Sequence, residues 1–122
     1  MTRAAGLYST LDATFVEVRE VRSGEVVARE TVPHAGVRGR EVGEGEVGPW
    51  CEAIRQAAIV AVGHGAASIA VSGPLHSLVV ANSHGETLCA ALLAEDERSM
   101  PDAGWCAKKI PAAQWVETVG SA

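Results

Sequence analysis

Two short stretches carry the side chains best suited to chemistry. Ser72-Gly73-Pro74-Leu75-His76 sets a hydroxyl and an imidazole on either side of a Gly-Pro break. Glu95-Asp96-Glu97-Arg98 gathers carboxylates beside a guanidinium. An imidazole and a carboxylate can each accept hydrogen bonds, and the imidazole can also donate. The first stretch follows an apolar run, Ile69-Ala70-Val71, that reads as a buried strand. Gly73-Pro74 ends that strand, because Pro cannot donate to a ladder and restricts the residue before it. His76 therefore falls just past a strand's carboxyl end, where ligands bind in open α/β sheets. Each residue also has a plainer reading. His76 can be a polar residue capping the turn after Pro74, and Asp96 a solvated charge beside Arg98.

The elements that must position these residues follow from periodicity. Leu7-Tyr8-Ser9 reads as a short strand. Thr14 to Val21 alternates, with Val16 and Val18 on one face and Glu17 and Arg19 on the other. Arg22-Ser23-Gly24 is a turn, and Glu25 to Val32 is a second strand stopped by Pro33, so the pair forms an antiparallel hairpin. Residues 34–48 alternate glycine with charge and read as a mobile loop. Gly43-Glu44-Gly45-Glu46-Val47-Gly48 matches a dinucleotide fingerprint in letters, but no strand directly precedes it and its glutamates repel phosphate. A helix starts at Pro49, with Trp50, Ile54, Ala57, Ala58 and Ala61 on one stripe. Glu52, near its amino end, favours the helix dipole. Gly63-His64-Gly65 ends it, His64 being a helix-end polar residue rather than a metal ligand. The central strand, Ala67 to Ser72, comes next. Ser77 to Ala81 and Thr87 to Leu93 form a second hairpin around Asn82-Ser83-His84-Gly85. A short helix is expected over Ala103 to Lys109, and Pro111 opens a last turn carrying Trp115 and Val116.

The totals bound the rest. The 122 residues suit one domain, and 48% hydrophobic with 20% charged residues is a globular composition. With one Phe and one Tyr, the core must be built from Val, Ala, Leu and Ile. A net charge of −5 argues against non-specific binding to nucleic acid or to an anionic membrane surface. Arg38/Arg40 and Lys108-Lys109 are too short for a phosphate track and read as solvated surface. The start, Met1 to Gly6, has no apolar core of signal-peptide length, and no run approaches the length of a membrane span. Cys51, Cys89 and Cys106 are odd in number and widely spaced, which suits buried thiols in a reducing cytoplasm better than disulfides or zinc.

Four stretches, in order, resemble the amino-terminal part of the FGGY carbohydrate kinases, the xylulokinase type in particular. Val71-Ser72-Gly73-Pro74-Leu75-His76-Ser77-Leu78-Val79 is similar to that family's V-S-G-Q-M-H-G-L-V segment. Leu92-Leu93-Ala94-Glu95-Asp96-Glu97-Arg98-Ser99 is similar to its I-L-W-x-D-x-R-S segment. Trp50-Cys51-Glu52-Ala53-Ile54 resembles its helix start W-W-E-A-L, with Glu44 and Glu46 at the preceding acidic motif. Trp115-Val116-Glu117-Thr118-Val119-Gly120 resembles its L-x-x-x-T-G segment. The resemblance implies an α/β fold: a ribonuclease-H-like, actin-like ATPase half domain, its mixed sheet in βββαβ order with an added hairpin. It spans residues 1–122 as a single domain and corresponds to about the first quarter of a full kinase. It implies sugar contacts at Ser72, Leu75, His76 and Asp96.

The departures from that family matter as much. It opens on G-I/L-D-x-G-T-x-S/T-x-K, a strand and tight turn beside the ATP phosphates. Here Tyr8 stands where an acid would help hold Mg²⁺, Thr10-Leu11 replaces Gly-Thr, and Phe15 replaces the Lys. Ala94 replaces the Trp that would wall the sugar pocket. The family's catalytic Asp and its adenine-binding domain correspond to positions beyond 122. The resemblance thus implies a divergent, truncated kinase domain, a pseudoenzyme without phosphotransfer alone. It would take no cofactor by itself, ATP and Mg²⁺ being the family's. A small sugar, or the role of one half of a split kinase, fits it. The alternative is a structural or interaction module. Either way a sheet awaiting further α/β cover predicts an oligomer: a homodimer, or docking on a second chain that supplies the missing domain.

Overall fold

β1 (Arg3–Ser9) is the hub of the computed structural model, which describes residues 1–120. It pairs antiparallel with β2 (Ala13–Glu20), which pairs antiparallel with β3 (Val26–Pro33). β4 (Glu44–Gly45) leads into α1 (Val47–Gly63), and α1 into β5 (Ala66–Ser72), which returns parallel to β1. The main sheet therefore runs β3-β2-β1-β5, a mixed four-stranded sheet. A parallel return needs a crossover, and α1 supplies it. β6 (Ala91–Leu92) pairs with β4 in a second, two-stranded ladder. α2 (Met100–Lys109) and α3 (Ala112–Val119) close the described chain.

The alternation read from the sequence places the core. Ala5 and Leu7 of β1 and Val16 and Val18 of β2 point to one face and are buried against Ala57 and Ala61 of α1. Both alanines are fully buried, and such small side chains let the helix axis approach the sheet closely. Each buried Leu or Val contributes about 1.5–3 kcal/mol relative to exposure. The stripe on α1 is slightly rotated from expectation: Ala53 is buried, while Ile54 and Ala58 are half-buried. Because α1 starts at Val47, Glu52 lies past its first turn. It bonds Arg55 and Gln56 instead of serving the dipole.

Four expectations are corrected by the packing. The run 34–48 is not simply a loose loop. Val37 is buried with Trp50 and Leu93 in a second small core, and Gly45 bridges both Arg38 and Ala91. The second hairpin forms only as scattered bridges, Leu78 to Leu92 and Ala81 to Thr87, since no layer packs on Val79, Val80 and Leu88. β5 is an edge strand, not a buried one; α1 covers β1 and β2, leaving Ile69 and Val71 in the open. The thiols are free, but none is buried: Cys51 sits off the α1 stripe, Cys89 on the bridged hairpin, and Cys106 half-buried on α2.

α2 begins before the expected Ala103, with Pro101 in its first turn, where the missing N–H costs nothing. Neither α2 nor α3 has a buried residue. The accessible surface is 8498 Å², against about 6,200 Å² for a compact chain of this mass. No helix among the described residues is long and apolar enough to cross a membrane.

Candidate functional site

β5 delivers the chain to Ser72, and the turn that follows carries His76 at φ +57°, the left-handed region that few non-glycine residues adopt. The bridge between Leu78 and Leu92 then returns the second stretch beside the first. His76 and Asp96 so come to line one cleft of about 330 Å³, together with Leu78, Leu92, Leu93, Ala94, Arg98 and Ser99. Ser72 and Leu75 lie outside that lining. Ser72 is paired beside Tyr8 at the end of β5, and the Leu75 side chain is exposed.

Asp96 is held rather than loose. Its side chain is 6% exposed. Its Oδ1 receives the Arg98 backbone N–H at 2.9 Å and Arg98 Nε at 3.1 Å, and its Oδ2 receives Nε at 2.9 Å and Nη2 at 2.6 Å. Those side-chain bonds, then the backbone N–H, hold the carboxyl below the usual carboxylate range. The same pairing raises the Arg98 guanidinium further above its ordinary value. Arg98 also reaches Glu44 Oε1 at 3.0 Å. The glycine of the letter-matched fingerprint explains the approach. Gly43 has φ +82°, and a Cβ there would lie 2.6 Å from the Asp96 Cα. Its carbonyl accepts the Leu93 N–H at 2.7 Å. The glycines thus serve backbone contact between β4 and the Asp96 turn. The sequence reading placed Arg98 beside Asp96 but did not count it among the site residues.

The β1–β2 turn is the other half of the site geometry. Thr10 Oγ1 accepts the N–H groups of Asp12 and Ala13 at 3.1 Å and donates to the Ala13 carbonyl at 3.0 Å. Asp12 faces Arg38 at 3.6 Å. Tyr8 and Phe15, opposite each other in register, stack with ring centroids 6.2 Å apart on the open face of the sheet. A phosphate turn needs free backbone donors and positive charge. In this turn Thr10 occupies two donors, and an aromatic pair takes the place of ion-binding side chains. The residues present do not fit ATP phosphates with Mg²⁺.

Known proteins decide the family. Xylulose kinase of Streptomyces rubiginosus is 34% identical over 121 residues, spanning 95% of this chain and 24% of that protein. The crystal structure of xylulose kinase from Rhodospirillum rubrum superposes with a TM-score of 0.76 at 18% identity, over 93% of this chain and 25% of that one. That of xylulose kinase from Bifidobacterium adolescentis gives 0.72 at 26% identity, over 92% and 21%. The chain is homologous to the amino-terminal part of the FGGY carbohydrate kinases. It spans about a quarter of the length of these relatives. Its sheet and α1 are the ribonuclease-H-like half domain of the actin-like fold that the resemblance implied. No family model matches the chain.

Proposed function

We propose that this FGGY-type segment presents the sugar-side wall of a kinase cleft and transfers no phosphoryl group by itself. The carrying observation is the contrast between two sites at the shared carboxyl end of the parallel strands β1 and β5. His76, Asp96 and Arg98 line one cleft with leucines and Ala94, while the β1–β2 turn has two of its donors occupied by Thr10. In the cleft His76 and Ser99 are the groups free to exchange hydrogen bonds with a ligand hydroxyl. Asp96, fixed as a carboxylate by Arg98, offers acceptor lone pairs only. Ala94 leaves the wall low, so affinity for a pentulose is weak. Phosphoryl transfer would need phosphate and nucleotide parts that these residues do not supply, such as a second chain brings in a split kinase. Three free thiols suit the cytoplasm.

A thermal-shift panel of pentuloses and Mg-ATP tests this reading. A pentulose should raise the midpoint, His76→Ala should abolish that rise, and Mg-ATP should neither shift the midpoint nor be hydrolysed. Turnover of ATP to ADP by the purified chain, or indifference to every sugar, would sink it. In the second case the interaction-module reading gains. Its supporting observation is the surface area, about 2,300 Å² beyond that of a compact chain of this size.

A further inference from the structure

We propose that the turn after β5 is a strained positioning device: the chain holds His76 in left-handed backbone so that its imidazole points into the cleft. Every other positive φ among the described residues belongs to a glycine, which has no Cβ to clash with the following carbonyl. His76, at +57°, is the exception. It is the second of the two central turn residues, Leu75 and His76, and it is exposed. A left-handed position in a turn normally goes to Gly or Asn. No packing of the ring into a core accounts for a histidine there.

The segment is pinned at both ends, which is what a strained conformation needs in order to persist. Upstream, Ser72 is in register with Tyr8 in the sheet. Pro74 fixes its own φ and biases Gly73 toward extended backbone. Downstream, Leu78 donates to the Leu92 carbonyl at 2.8 Å and accepts the Leu92 N–H at 2.9 Å. Residues 73–77, held between these anchors, have little freedom to relax. A second unrelieved cost sits beside the first. Ser77 Oγ is shielded from water and has no hydrogen-bond partner among the described residues. The outcome is directional, for His76 and Leu78 line the cleft whereas Leu75 does not. Turning the His76 φ to a negative value would swing its Cα–Cβ bond about N–Cα and carry the imidazole out of the cleft it shares with Asp96.

Only the choice of ligand rests on the sugar-side reading; the strain is measured without any ligand. His76→Gly removes the Cβ at the left-handed position and should raise the melting midpoint by about 2–5 °C. His76→Ala keeps a Cβ there and should not raise it. His84→Gly makes the same exchange in a turn at ordinary φ and should lower the midpoint slightly. A histidine that merely capped the turn would give the reverse at position 76, stability falling on its removal. In the nuclear Overhauser spectrum of the parent chain, the His76 ring should contact the methyls of the cleft leucines. The pentulose-induced rise should be missing from His76→Gly, although that chain is the more stable one. A His76→Gly midpoint at or below the parent's would overturn the device, as would an equal rise in His76→Ala or His84→Gly. A ring without leucine contacts, or a pentulose response kept in His76→Gly, would do the same. If no chain answers a pentulose while the glycine gain and the ring contacts are seen, the sugar reading falls and the strained turn stands.

Discussion

At the scale of single residues, the Asp96 turn depends on one glycine. Gly43→Ala must place a methyl where the Asp96 backbone lies, at a φ that L residues avoid. The cost should be roughly 2 kcal/mol or more, read as a lower urea midpoint, and an unchanged midpoint would contradict the packing described. Acid exposes a second residue-level dependence. Glu52 is held down to about 2, chiefly by the Arg55 side chain and then Gln56, and Glu17 is lowered by Arg19 and Arg29. These carboxylates bind protons more weakly folded than unfolded. Their contribution is complete above the unfolded value of 4.5 and drains as pH falls through the folded values. The melting midpoint should therefore drop from about pH 5 toward about pH 2, less steeply in Glu52→Gln. Both pairs are exposed, so added salt should shrink the difference between the two chains. The family spacing of their segments singled out His76 and Asp96, and the structure places both in one cleft. The grip of Arg98 on Asp96 was not legible, since hydrogen-bond partners are set by rotamers and a turn that letters do not specify.

Among the elements, the join between α1 and the β1–β2 hairpin is polar at its core. Trp50 Nε1 donates to Ser9 Oγ at 2.7 Å, Ser9 shares a hydrogen bond with Thr14 at 2.8 Å, and Thr14 meets His34 Nε2 at 2.8 Å. Ser9 and Thr14 are fully buried, so each link replaces one that water would make. Thr14→Val keeps the shape but leaves Ser9 and His34 short of a partner. It should cost about 1–3 kcal/mol in chemical unfolding, and a stability equal to the parent would show the chain to be dispensable. The hairpin and α1 could be read in advance because periods of two and 3.6 run through them for several turns. β4 and β6 could not, since two-residue strands have no period. β5 was read correctly as a strand and incorrectly as buried, for a short apolar run records preference for burial and not the presence of a covering layer.

For the molecule as a whole, order in sequence determined architecture well: βββαβ with a right-sized crossover allowed few sheets. What the order could not show is how much surface the described chain leaves open. The core rests on β1, β2 and α1, so amide hydrogens there should exchange slowest and those of α2 and α3 fastest. Protection of α2 equal to that of β1 would mean the hairpin is anchored by contacts other than those seen. The placement of the three tryptophans gives the molecule a built-in pair of optical reports. Trp50 is buried with its indole N–H bonded, whereas Trp105 is 62% exposed on the outer side of α2. An aqueous quencher should reach Trp105 first and leave Trp50 emitting at shorter wavelength. Quenched and unquenched spectra therefore separate the state of the helical hairpin from the state of the core within one unlabelled sample.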